Sequence, residues 1–229
     1  MKVMPFILLL CCCPLALSQD IVGGSSTLFG FRDLRTAVQE HQVRLNRRSI
    51  PQDKQAQEVD ALLAESSETL AFLVRSAKNH PVSSEYSEST SDASSIFSDI
   101  KARGTIGEAE WKQLQAVNAD LKVKANHAEK ALASGAENAF ELIEVIVHTK
   151  KNGKELADYQ VWYVKEAYEN EPGRYQTFDR FSSPATRKLP PGRYLMWTQA
   201  TDGTKTQGPK TPKEFGDGQA IIETDLSIP

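Results

Sequence analysis

The sequence predicts an α+β fold in which an N-terminal helical hairpin or three-helix bundle precedes a C-terminal antiparallel β-sandwich. As far as about residue 134, apolar residues recur at steps of three and four, which is the spacing of one helix face. Beyond about residue 138 they form short β-branched and aromatic runs separated by Gly, Pro and Asn, as in antiparallel strands joined by turns. The change of period divides the chain into a helical domain over residues 19–134 and a sandwich domain over residues 138–229.

The first 18 residues have the pattern of a secretory signal peptide. Lys2 precedes an apolar run that ends at Leu17, and the small residues Ala16 and Ser18 stand at the spacing that signal peptidase accepts. The run is shorter than the roughly 20 apolar residues of a membrane-spanning helix. We therefore expect a secreted protein, periplasmic or extracellular, that is cleaved near Ser18 and has no transmembrane helix in the mature chain.

The cysteines of the chain all lie inside this apolar run, at residues 11–13. After cleavage the mature chain would contain no cysteine, so disulfides would not contribute to its stability. Lipid anchoring through one of these cysteines is an alternative. It is less favoured than cleavage near Ser18 because the residues before the cysteines are not the small ones that such signals prefer.

Two apolar stripes at helical spacing occupy the first part of the helical domain. The first stripe consists of Phe31, Leu34, Val38, His41 and Leu45. The second stripe consists of Val59, Leu63, Ser66, Leu70, Leu73 and Ala77. Before it stands SIPQ, in which Ser49 can cap a helix and Pro51 fits the first turn, where no backbone donor is needed. We predict a helix over residues 31–45 and a second helix that begins near Ser49.

A third stripe keeps heptad register over three repeats. It consists of Trp111, Leu114, Asn118, Leu121, Ala125, Ala128 and Leu132. The preceding TIGE has the form of a capping box, with Thr105 bonding forward and Glu108 bonding back. Asn118 would either fix the register of a buried seam or face solvent at the edge of the bundle. Narrow stripes are buried by packing helices side by side, within one chain or between copies in a homo-oligomer.

Residues 80–95, HPVSSEYSESTSDASS, separate the second stripe from the third. The segment is rich in Ser and acidic residues and almost free of aliphatic side chains. Such a composition offers little apolar surface to offset the entropy of ordering. The sequence therefore predicts a disordered loop here.

The second half of the chain reads as a series of strands and turns. The runs are FELIEVIVHT, ADYQVWYVKEAY, RYQTFDRF, ATRKL, RYLMWTQAT and QAIIETDLSI, with turns at KKNGK, NEPG, PPG and DG. Because side chains alternate between the faces of a strand, Tyr194 and Met196 share one face while Leu195 and Trp197 share the other.

The LPPGRYLMW stretch, with Leu189, Pro191, Gly192 and Tyr194, resembles the turn and following strand of prealbumin-like, carboxypeptidase regulatory-like β-sandwich modules. VIVHTKKNGKELADYQVWYV is similar to the opening hairpin of those modules. The resemblance covers residues 140–229. It implies a non-catalytic module for folding, attachment or recognition, in a fold group that also contains carbohydrate-binding members. It carries over no ligand-contacting residues.

The resemblance also implies which face of the strands is buried in the sandwich. It turns Tyr194 inward, and the same alternation turns Val161 and Tyr163 inward. The opposite face then holds an apolar patch of candidate binding or interface residues, namely Trp162, Val164, Leu195 and Trp197. Such patches usually mark interfaces, so either the helical half packs on it or a sugar chain or protein binds there. A one-residue shift in register would exchange the two faces.

Composition and motifs argue against several classes of function. The net charge of −3 offers no basic excess for nucleic acid. GTKTQGPKT at residues 203–211 has phosphate-loop glycine spacing, but Pro209 removes a backbone donor and no helix follows. The four histidines are scattered, and no serine has nucleophile-elbow spacing. We therefore predict no catalytic, cofactor-binding or metal-binding residues.

These observations predict an exported, non-catalytic binding or scaffolding protein. Its partner would be a protein or glycan of the cell envelope or extracellular space. Two alternatives remain open: a carbohydrate-binding module that uses the aromatic residues of the patch, and a hydrolase with a cleft between the two domains.

Overall fold

The computed structural model of the chain describes residues 24–48, 50–178, 183–201 and 207–228, with side chains from residue 30 onward. The segment read as a signal peptide, residues 1–18, and the proposed cap Ser49 lie outside the described residues. Within the described part of the chain, none of the helices is both long and apolar enough to cross a membrane.

The described residues of the first half of the chain form four helices, whereas two or three were predicted. They are α1 (Gly24–Gln39), α2 (Gln52–Ala77), α3 (Ser84–Arg103) and α4 (Glu108–Ala133). The second apolar stripe is confirmed, because each of its six residues is buried on α2. α1 ends before the predicted residue 45, and His41 beyond it is exposed with a left-handed φ of 58°. His41 is therefore not on the helical stripe.

The prediction of a disordered loop over residues 80–95 is wrong, because α3 begins at Ser84. This helix buries a stripe that continues past the Ser-rich segment, made up of Tyr86, Ser89, Thr90, Ala93, Ile96, Phe97 and Ile100. Phe97 packs edge-on against Phe31 of α1, with ring centroids 5.7 Å apart. Gly30 of α1 lets α3 approach closely, since a Cβ atom there would lie 3.0 Å from Ser94 O. The helix is therefore stabilised by packing that the composition of residues 80–95 does not reveal.

Capping at Ser83 gives a measurable prediction for α3. The Ser83 hydroxyl accepts a hydrogen bond from Tyr86 N at 3.2 Å. Ser83→Ala is expected to lower the free energy of unfolding by about 1 kcal/mol, because one orphan N–H loses its acceptor. Urea denaturation would measure this. Exposed Ser84 is the matched control, and Ser84→Ala should change the value by less than about 0.5 kcal/mol. Equal effects of the two substitutions would contradict the capping role.

α4 starts later than the predicted capping box. Gly107 is the N-cap, and its N–H donates to Glu110 Oε2 at 3.0 Å. Thr105 and Ile106 instead form β2, which pairs in parallel with β1 (Arg44–Leu45). Asn118 is buried and joins α4 to α2, since its Nδ2 donates to Glu65 Oε2 at 2.7 Å and its Oδ1 accepts from Ser66 Oγ at 2.8 Å.

In the second half of the chain, the residues that the structure describes form two four-stranded sheets. Their strands are β3 (Ile143–Lys151), β4 (Lys154–Glu155), β5 (Tyr159–Lys165), β6 (Gln176–Thr177), β7 (Ala185–Leu189), β8 (Gly192–Ala200), β9 (Thr211–Phe215) and β10 (Ile221–Ser227). In the first sheet β3 pairs with β10, β4 and β7, and the second sheet has the order β6–β5–β8–β9. The β3–β4 turn has positive φ at Asn152 and Gly153, as an Asn-Gly hairpin turn requires.

The sandwich is antiparallel except at one position. β10 pairs in parallel with β3, with Ile222 opposite Val145. The other described pairings of the two sheets are antiparallel. The α+β class and the order of helices before sheets are as predicted.

The chain is arranged in three layers. One apolar cluster lies between the two sheets and includes Val145, Val161, Tyr163, Tyr194 and Met196. A second cluster joins the opposite face of the β6–β5–β8–β9 sheet to the helices. The helices, that sheet and the β3 sheet therefore stack in this order, with the middle sheet apolar on both faces.

Candidate functional site

The four predicted interface residues lie on the helix-facing side of the middle sheet. Val164, Leu195 and Trp197 are buried in the same apolar cluster as the helices, and Trp162 is half-buried against it. Val161, Tyr163, Tyr194 and Met196 lie in the other cluster, between the sheets. The assignment of the two strand faces is therefore confirmed.

Aromatic side chains surround Trp197. The Trp162 ring stacks with it at a centroid distance of 6.2 Å and an interplanar angle of 14°. Tyr175 packs edge-on against it at 5.1 Å, and Lys210 Nζ lies 5.3 Å from its ring centroid. Trp197 is only 3% exposed. The Trp197 ring can therefore stack on a sugar only if the side chains that cover it move away.

α4 packs against the sandwich where glycines allow close approach. A Cβ atom at Gly216 would lie 2.9 Å from Val123 O and closer still to Val123 Cγ1. Asn126 Nδ2 donates to Gly216 O at 3.2 Å, and Gly218 N donates to His127 Nδ1 at 3.2 Å. Backbone and side chains of α4 are thus in direct contact with the segment between β9 and β10.

A buried ion pair lies at the same junction. Lys124 is fully buried and pairs with Asp120, one turn earlier on α4. Asp120 Oδ1 also accepts a hydrogen bond from Arg193 N of β8 at 2.9 Å. Burial lowers the pKa of the Lys124 ammonium to about 8, although the Asp120 carboxylate opposes this change.

The lowered pKa predicts how stability depends on pH. Between pH 8 and the ordinary lysine pKa of 10.5, unfolded Lys124 binds a proton that folded Lys124 does not. The free energy of unfolding should therefore rise with pH from about 8 to 10, with a slope of at most about 1.4 kcal/mol per pH unit. Above pH 10 the free energy of unfolding should instead fall as the pH rises. Burial raises the pKa values of Tyr86 and Tyr194 above 10.0, so these tyrosines lose their protons more readily in the unfolded chain.

Lys124→Met tests this origin of the pH dependence. The variant should show no rise between pH 8 and 10 in denaturation curves, because the titrating group is gone. Lys112→Met removes an exposed lysine of α4 and should keep the rise. A rise that persists in Lys124→Met would assign it to another group.

A cavity of about 220 Å³ lies between α3 and the sandwich. Its α3 wall carries acidic side chains, from Glu85, Glu88 and Asp92. Its sandwich wall carries basic side chains, from Lys165, Arg174, Arg187 and Lys188, together with the rings of Tyr163, Tyr168 and Tyr194. The acidic wall and the basic wall therefore face each other across the cavity.

An ion pair lies among the residues that line this cavity. Lys165 Nζ of β5 lies 2.8 Å from Asp92 Oδ2 and donates to Ser89 O at 3.0 Å. Both charged side chains are largely buried, with exposures of 16% and 26%. The pair fixes α3 against the middle sheet and sets the width of the cavity.

Two hydroxyl groups beside the cavity have no hydrogen-bond partner. They belong to Ser89 of α3 and to Tyr168, and both residues are more than nine-tenths buried. Burial and the nearby Asp92 carboxylate raise the pKa of Tyr168, so its hydroxyl stays protonated and able to donate. Each unsatisfied buried hydroxyl costs about 1–3 kcal/mol, and each would have to turn toward the cavity to bond a ligand there, because neither oxygen is accessible to solvent.

The basic side chains of the cavity are held against aromatic rings. Arg174 lies over the Tyr168 ring at 4.6 Å, and Arg187 lies over the Tyr163 ring at 5.3 Å. Arg187 Nη1 also donates to Thr177 O at 2.7 Å. These contacts position the two guanidinium groups before any ligand arrives.

A wider cleft of about 750 Å³ lies between the first half of α4 and residues 166–171. Arg193 Nε pairs with Glu166 Oε2 at 2.9 Å, and Gln113 Nε2 donates to Ala167 O at 3.3 Å. Polar groups on the two sides of this cleft are therefore already bonded to each other. The cavity of about 220 Å³ is the stronger candidate site because Ser89 and Tyr168, whose hydroxyls have no partner, are among the residues that line it.

Sequence reasoning missed this cavity because one of its walls was assigned to a loop. A signal was available, since Glu85, Glu88 and Asp92 follow each other at steps of three and four and form an acidic helix face. Among the described residues, no group of three or more His, Cys, Asp or Glu side chains is placed to hold a metal ion.

Neither a protein-family model nor a curated protein sequence matches this chain.

Proposed function

We propose that this chain is an exported, non-catalytic binding protein that holds a small polar ligand in the cavity between α3 and the sandwich. The observation that supports this most directly is the pair of buried, unpartnered hydroxyls of Ser89 and Tyr168. Buried polar groups are normally hydrogen-bonded, so two exceptions beside one cavity indicate a site that is completed by a ligand.

The framework around the cavity also suits binding without large movement. The Lys165–Asp92 pair and the shared apolar cluster hold α3 against the middle sheet. A site on rigid elements loses little conformational entropy when a ligand binds. In this proposal the prealbumin-like sandwich is the scaffold and α3 supplies the second wall.

Under this proposal, the carbohydrate-binding alternative places the sugar at a different position from the tryptophan patch. Trp197 is covered by Trp162 and Tyr175, so a sugar would use the tyrosine-lined cavity instead of the tryptophan patch. A broad panel of sugars, amino acids and organic acids, screened by ligand-observed NMR on the purified protein, would therefore cover both possibilities.

The Ser89→Ala and Tyr168→Phe variants test the proposal. In the free protein each should keep or raise the melting temperature, because an unsatisfied hydroxyl is removed. Each should also weaken binding of a ligand found in the screen by about tenfold, as loss of one hydrogen bond in a desolvated site predicts.

Tyr86→Phe is the matched control. The Tyr86 hydroxyl is equally buried and unpartnered, but Tyr86 lies in the helical core and does not line the cavity. This variant should stabilise the free protein and leave binding unchanged. A screen without any ligand, or a ligand whose affinity is insensitive to Ser89→Ala and Tyr168→Phe, would contradict the proposed function.

A further inference from the structure

We infer that His127 is an acid-sensitive latch, which holds the segment between β9 and β10 (residues 216–220) against α4 and releases it when the imidazole is protonated. Gly218 N, in the middle of this segment, donates to His127 Nδ1 at 3.2 Å. A neutral imidazole has one nitrogen that accepts and one that donates, whereas a protonated imidazole has two donors. The hydrogen bond from Gly218 therefore forms only with the neutral ring.

The ring has little room in which to turn away after protonation, because His127 is only 3% exposed. A Cβ atom at Gly218 would lie 2.8 Å from Lys130 Cβ, one turn after His127. A Cβ atom at Gly216 would lie 2.9 Å from Val123 O, one turn before it. Two N–H groups that face each other across such a contact leave both donors unsatisfied, so protonation displaces the segment from α4.

The surroundings of His127 favour the neutral ring at pH 7. Burial lowers the pKa of the imidazole from its ordinary value of 6.5, and the Asp217 carboxylate opposes this change. Asp217 is the only charged residue of the segment. On α4 itself, Lys130 Nζ lies 3.8 Å from Asp217 Oδ1, and Lys124 is paired with Asp120.

The release therefore belongs to the acid side of neutrality. When the segment is detached, the ring takes up a proton near the ordinary pKa of 6.5, but when the segment is in place the ring does so only at a lower pH. The contact is thus fully stable above pH 6.5, and its stability is lost as the pH falls through the lowered pKa of the folded protein.

The release should extend to the start of β10. Ala220 O accepts a hydrogen bond from Glu144 N at 2.8 Å, and β10 begins at the next residue. At the other end of the segment, Asn126 Nδ2 donates to Gly216 O at 3.2 Å, and this amide does not titrate. We therefore expect local opening of residues 217–221, at a higher pH than the unfolding of the whole chain.

Amide hydrogen exchange of the purified protein between pH 5 and pH 7.5 tests the latch. The protection factor corrects each exchange rate for the pH dependence of an unstructured amide. It should fall about tenfold at Gly218 and Ile221 when the pH drops from 7.5 to 5, and change less than about twofold in β5. The NMR signals of the His127 ring should titrate with the same midpoint, below pH 6.5.

Three variants separate the latch from other effects of acid. In His127→Asn, the Oδ1 atom takes the place of Nδ1 and accepts at every pH, so Gly218 should stay protected at pH 5. Asp217→Asn removes the carboxylate that favours the charged ring, so the midpoint should move to lower pH. His148→Gln is the matched control, since His148 Nε2 lies 3.7 Å from Glu223 Oε2 of β10, and it should leave the loss of protection unchanged.

Two results would overturn the inference. One is a loss of protection at Gly218 in His127→Asn as large as in the parent protein, which would assign the opening to another group. The other is a ring midpoint at or above pH 6.5, or one that does not fall in Asp217→Asn. The ring titration and Asp217→Asn also decide the question if His127→Asn does not fold.

Discussion

The Asp120→Ala variant is expected to lose about 3–5 kcal/mol of its free energy of unfolding. Lys124 is fully buried, and Asp120 is the carboxylate paired with it. Removal of Asp120 leaves a desolvated ammonium without its partner and also removes the acceptor of the Arg193 N–H. Guanidinium denaturation at pH 7, where Lys124 is charged, would measure the loss.

The double variant Asp120→Ala/Lys124→Met separates the two consequences of this substitution. Without the buried ammonium, the double variant should recover at least half of the loss, because an apolar side chain of similar length fills the site. Recovery of less than a quarter would show that Asp120 acts mainly through the Arg193 N–H instead of through Lys124. The double-mutant cycle thus measures the energy of the pair.

Gly216→Ala is expected to destabilise the protein by about 1–3 kcal/mol, the usual cost of overpacking a tight contact. The added methyl would lie 2.9 Å from the carbonyl oxygen of Val123, which is backbone and cannot rotate away. α4 would have to move away from the sandwich. The melting temperature and the urea midpoint should both fall.

Gly173→Ala provides the matched control for Gly216→Ala. A Cβ atom at Gly173 meets no heavy atom within 4 Å, so this variant should stay within about 0.5 kcal/mol of the parent protein. Similar losses at the two glycines would indicate that the close approach of α4 does not limit stability.

The sequence was informative where local pattern decides structure. Alternation divided the side chains of β5 and β8 into two sets, with Val161 and Met196 opposite to Trp162 and Trp197, and the resemblance indicated which set lies between the sheets. The parallel pairing of β10 with β3 was not predictable in this way. It joins residues 77 positions apart, and no turn links them.

Composition alone was insufficient to predict the α3 helix and the cavity beside it. Ser94 of α3 lies against Gly30 of α1, where a small side chain permits close packing, and no hydropathy measure records this property. Once α3 was read as a loop, Ser89 and Asp92 could not be placed opposite Tyr168 and Lys165. The candidate site therefore depended on one tertiary contact between distant helices.

The pairing of β10 with β3 has a consequence for synthesis on the ribosome. Strand β3 is complete at Lys151, but its parallel neighbour is complete only at Ser227. During translation, one edge of β3 stays open while the intervening residues emerge. Nascent chains halted before residue 221 should therefore be more sensitive to protease and more prone to associate than the finished protein.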